Sequence, residues 1–67
     1  MKRQTLVYAE KQISITAKEN GIRVFISDDK LYIEVANGKN YQLSNEEIEY
    51  QATEYLKGEI ENVKHNI

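Results

Sequence analysis

The chain has no cysteine, proline or tryptophan, one histidine, three glycines and one phenylalanine. Without cysteine there is neither a disulfide framework nor a thiolate metal site, so the staples that hold secreted mini-proteins together are absent and a cytoplasmic location is expected. With His65 as the sole imidazole, a common zinc site or a Ser-His-Asp triad cannot be assembled. The glycines stand far apart as Gly21, Gly38 and Gly58, which excludes a phosphate-cradling loop or dinucleotide fingerprint. No apolar run approaches the ~20 residues of a membrane span, and Met1-Lys2-Arg3 leads into an alternating stretch rather than a signal-peptide core. A net charge of -2 provides no general attraction to nucleic acid or anionic lipid.

What remains is the composition of one small folded domain. Of the 67 residues, 40% are apolar and 30% charged, too apolar for a disordered tail and too few for more than a single core. Basic residues exceed acidic ones by two up to Ile33, and acidic residues exceed basic ones by four from Glu34 onward.

The pattern changes near residue 44. Before it, apolar residues alternate and are interrupted at intervals by Gly or Asn-Asp clusters, the signature of successive hairpins. Asn20-Gly21 suits a two-residue type I′ turn, which would set Ala17 opposite Val24 and Ile15 opposite Ile26. A second such turn at Asp28-Asp29 sets Ile26 opposite Leu31, Val24 opposite Ile33, Phe25 opposite Tyr32 and Arg23 opposite Glu34. Asn37-Gly38 needs a three-residue loop, Ala36-Asn37-Gly38, to place Tyr41 beside Ile33 and Leu43 beside Leu31 on the common apolar face. A tight loop at Glu10-Lys11 would pair Tyr8 with Ile13, although neither loop residue favours positive φ.

After Ser44 the period is that of a helix. Ser44 can cap it and Glu47 can reach back as a capping box. Ile48, Ala52, Tyr55, Leu56, Ile60, Val63 and Ile67 form an apolar arc, with Gly58 and Glu59 as anomalies inside it. The expected fold is therefore α+β: an antiparallel meander of four to five strands over residues 5–9, 12–18, 22–27, 30–35 and 39–43, followed by one C-terminal helix over 45–64 packed on one sheet face. Five strands at ~4.8 Å spacing are wider than one helix of ~10–12 Å, so a homo-oligomer is expected to supply the missing cover.

No catalytic constellation emerges, and the chain reads as non-enzymatic, without cofactor or metal. Asp28-Asp29 has no identifiable third ligand and serves as a turn. Two surfaces are left over. On the outer sheet face Phe25 and Tyr32 form an aromatic pair, extended by Thr16 and Gln42 and flanked by Lys18 and Arg23. On the polar side of the helix Glu47 and Glu54 flank Tyr50, with Glu46, Glu61 and Lys57 nearby. The expected function is a protein-binding module that docks on a larger protein as a small inhibitor or regulator. The alternative is a single-stranded nucleic-acid binder that stacks bases on the aromatic sheet face. The Lys, Ile, Asn and Glu richness looks like an AT-rich coding sequence and resembles in composition accessory proteins of bacterial phages and plasmids.

Overall fold

A computed structural model describes residues 2–65, with side chains as far as Glu61. Helix α1 (Arg3–Ala17) continues into a short 3-10 turn (Lys18–Asn20). Strands β1 (Arg23–Ser27), β2 (Lys30–Glu34) and β3 (Asn40–Gln42) follow, and helix α2 (Asn45–His65) ends the described chain. The fold is α+β, with one antiparallel sheet in the order β1-β2-β3.

The first twenty residues overturn the expected architecture. Among the described residues there are three strands rather than four or five, and two α-helices rather than one. Leu6, Tyr8, Ile13, Ile15 and Ala17 alternate on paper, yet Leu6, Ala9, Ile13 and Ala17 also fall at helical spacing. It is this second set that packs: Leu6, Ala9 and Ala17 are buried and Ile13 lies against the core, while Ile15 is 64% exposed. Asn20-Gly21 is consequently no hairpin turn. Gly21 adopts a left-handed φ of 68° and closes the helical segment, its N–H donating to the Lys18 carbonyl at 3.2 Å. The Ile22 N–H donates to the Ala17 carbonyl at 2.9 Å, so two carbonyls of the last turn find donors and the chain turns toward β1.

From Arg23 onward the expected register is the observed one. Asp28 and Asp29 both take positive φ, 54° and 58°, as a two-residue type I′ turn requires, and β1 pairs with β2 through Val24↔Ile33, Phe25↔Tyr32 and Ile26↔Leu31. Asn37 and Gly38 lie in a longer loop that brings Tyr41 opposite Ile33, and the Leu43 N–H donates to the Leu31 carbonyl at 2.9 Å. Ser44 caps α2 by accepting the Glu47 N–H at 3.2 Å. The return half of the capping box is not made, because the Glu47 carboxylate instead accepts Gln51 Nε2 at 2.8 Å. Helix α2 runs through Gly58 without a break.

The core consists of Leu6 and Ala9 from α1, Leu31 from β2, and Ile48 and Ala52 from α2, with Val24, Ile26 and Leu43 packed around it. Helix α1 lies against β1 and makes the principal contacts with α2, so one helix holds both the sheet and the other helix. The width argument for an oligomer accordingly lapses, since two helices accompany only three strands. Part of the expected α2 arc is nevertheless open to solvent, with Leu56 43% and Ile60 57% exposed. The side chains of Val63 and His65, and Ile67 altogether, lie outside what the structure describes.

Candidate protein-interaction surfaces

On the outer sheet face, directed away from the core, strand parity places Arg23 and Phe25 from β1 beside Glu34 and Tyr32 from β2, with Gln42 from β3 next to Tyr32. The Phe25 and Tyr32 rings stack with centroids 5.4 Å apart and planes at 16°. Arg23 lies 3.6 Å from the Glu34 carboxylate, and its guanidinium sits 6.0 Å from the Phe25 centroid. The Phe25–Tyr32 and Arg23–Glu34 pairs are cross-strand, while Arg23 and Phe25 are two apart on β1, so the hairpin register and strand alternation assemble the patch.

Lys18 does not belong to this row. It lies in the 3-10 turn after α1, because residues 12–18 are helical, and Thr16 is displaced from the row for the same reason. Lys18 instead meets Arg23 in a shallow cleft of about 190 Å³, lined also by Ser14, Ala17, Ile22 and Val24.

On α2, Glu47, Tyr50 and Glu54 recur at intervals of three and four and share a helical stripe. Tyr50 is 57% exposed. The carboxylates around it are already engaged: Glu47 accepts from Gln51, and Glu54 is 3.6 Å from Lys57. Such exposed contacts contribute little to stability, and only the Glu54 charge has a cation beside it, since the Gln51 amide is neutral.

A third cluster lies where α1 meets α2, and sequence reasoning missed it because it placed Tyr8 in a strand. Tyr8 and Tyr55 stack at 5.5 Å, and the Lys11 ammonium sits 5.8 Å from the Tyr55 centroid. The Gln4 amide donates to the Tyr8 hydroxyl. Tyr55 has its pKa raised, first by a hydrogen bond with Glu59, then by desolvation and the charge of the same carboxylate. Glu59, anomalous in the apolar arc, thus acts on the Tyr55 hydroxyl one turn earlier. The i, i+4 spacing of Tyr55 and Glu59 was the available signal.

Comparison with known proteins adds no relationship. No family model, curated protein or solved structure matches the chain. Among the described residues no three His, Cys, Asp or Glu side chains gather as a metal-binding group, and no helix is long and apolar enough to cross a membrane.

Proposed function

We propose that the protein is a non-enzymatic binding module from a phage or other mobile element that docks on a larger protein through its outer sheet face, as a small inhibitor or regulator. The observation that carries this reading is the stacked Phe25–Tyr32 pair on the sheet face opposite the helices. Aromatics flanked by an arginine supply large, rigid contact area at low entropic cost and are enriched where proteins bind one another. The same geometry supports a protein partner over single-stranded nucleic acid. One face of each ring is taken up by the other ring, and the Arg23 charge is shared with Glu34, so stacking planes and phosphate-seeking charge are both reduced.

An affinity pull-down from the native host, with and without nuclease, tests this. A protein retained after nuclease digestion, and lost with Phe25→Ala or Tyr32→Ala, is the expected result; each anchor is expected to cost about 1–2 kcal/mol of binding. Recovery of nucleic acid alone, released in moderate salt and weakened by Arg23→Glu, would replace the reading with a single-strand binder.

A further inference from the structure

Strand β1 is an edge of the sheet, and its outward backbone groups follow from the turn beside it. In a two-residue hairpin the residues flanking the loop, Ser27 and Lys30, form a hydrogen-bonded pair, and such pairs alternate along the ladder. Ser27, Phe25 and Arg23 therefore direct their N–H and C=O groups toward β2, whereas Val24 and Ile26 direct theirs away from it. Leu31 confirms the parity from the other side, since as the partner of Ile26 it gives its carbonyl to Leu43 across the β2–β3 gap. Among the described residues no strand pairs with the outer edge of β1, so it offers two N–H donors and two carbonyl acceptors.

We propose that this edge pairs with the same edge of a second copy, antiparallel about a twofold axis at Phe25, to make a continuous six-stranded sheet. The proposal does not depend on the partner reading of the outer face. Only one register uses all four open groups: Val24 opposite Ile26 of the second copy, and Ile26 opposite its Val24. Registers shifted by two residues align Val24 or Ile26 with itself and lose both of these pairs, so half of the open groups go unused. The side chains agree with the chosen register. Val24 and Ile26 are on the inner face of both copies, and Ile26 arrives beside the cleft lined by Ala17, Ile22 and Val24. Phe25 meets Phe25 of the second copy at a non-hydrogen-bonded position, where side chains approach closest, extending the stacked pair into a row of four rings.

Charge is complementary in the same register. Arg23 falls opposite Ser27 of the second copy, next to its Asp28-Asp29 turn, and Lys18 lies on the same margin as Arg23. Lys18, and Arg23 although it also lies 3.6 Å from its own Glu34, thus approach the acidic turn of the other copy, twice by symmetry, whereas a parallel pairing brings like charges together. The occupant of this edge is accordingly another copy of the chain.

The absence of cysteine makes the test direct. Phe25→Cys places two thiols across the twofold axis, whereas Ser27→Cys places them four residues apart along the strands, about 13 Å at a rise of ~3.3 Å per residue. Under mild oxidation at concentrations where sedimentation of the unaltered protein shows a dimer, Phe25→Cys should cross-link at least about tenfold faster than Ser27→Cys, because only its Cα separation suits a disulfide. The Val24 and Ile26 amides of the unaltered protein should also gain hydrogen-exchange protection as concentration rises. A monomer at all concentrations, equal cross-linking rates, or a dimer whose Val24 and Ile26 amides stay unprotected would each overturn the proposal.

Discussion

Two glycines carry opposite mutational consequences although both have open space where a Cβ would be added. Gly21 holds a φ of 68°, a conformation that costs an L side chain roughly 1 kcal/mol, so Gly21→Ala is expected to destabilise by about that amount. Gly58 lies inside α2 with nothing within 4 Å of an added Cβ, so Gly58→Ala is expected to stabilise by about 0.5–1 kcal/mol. Chemical denaturation of the two variants checks both signs. Tyr55 gives a prediction in pH. Its pKa is raised from 10.0 in the folded chain, so the folded state holds the proton more tightly than the unfolded state does. The associated stability is complete below pH 10 and is lost as pH rises through the raised folded value. Ultraviolet titration should show Glu59→Gln moving Tyr55 back toward an ordinary phenol, because the carboxylate is its largest influence.

Among the elements, the registers of β1, β2 and β3 and the span of α2 were legible, whereas α1, and with it the packing of α2 on a helix rather than directly on the sheet face, was not, for reasons that lie in their boundaries. Each hairpin has a turn whose chemistry allows one register: paired positive φ at Asp28-Asp29, and a longer loop containing Asn37-Gly38. Helix α2 has a serine cap and acidic residues in its first turn. Helix α1 has neither. Lys2 at its N-cap makes no side-chain cap bond, and no acidic residue occupies its first turn, while Lys2 and Arg3 put positive charge at the positive end of the dipole. Its Ile, Thr and Val content favours a strand, and Asn-Gly serves a helix end as readily as a hairpin. Packing against the sheet and α2 therefore decides its conformation, beyond what local propensity supplies. The aromatic patch was legible through its register, whereas the Tyr8–Tyr55 cluster depended on knowing that α1 is helical. A substitution separates the two conformations. In α1, Ile15→Ala removes an exposed β-branched residue and should change stability by no more than about 0.5 kcal/mol, while Leu6→Ala, fully buried, should cost about 2–5 kcal/mol. A strand with Leu6 and Ile15 on one apolar face would penalise both.

At the scale of the whole molecule, α1 is the common support for the sheet and α2. Native-state hydrogen exchange should accordingly find its slowest amides around Leu6–Ala9 and Leu31, and faster ones in β3 and at residues 59–61 of α2, which are exposed. The same arrangement governs time. Helices usually give quick folding because their contacts are local, but here the α1–α2 seam joins positions as distant as Tyr8 and Tyr55 in a chain of 67 residues. The intervening loop has to be closed before that seam contributes anything, and closure is an entropic cost that local helix formation does not offset. Stopped-flow refolding should proceed on the order of milliseconds or slower rather than in the microseconds of local helical bundles. Tyr8→Ala should raise the unfolding rate more than it lowers the folding rate, as expected of a contact made only after the chain has passed its barrier.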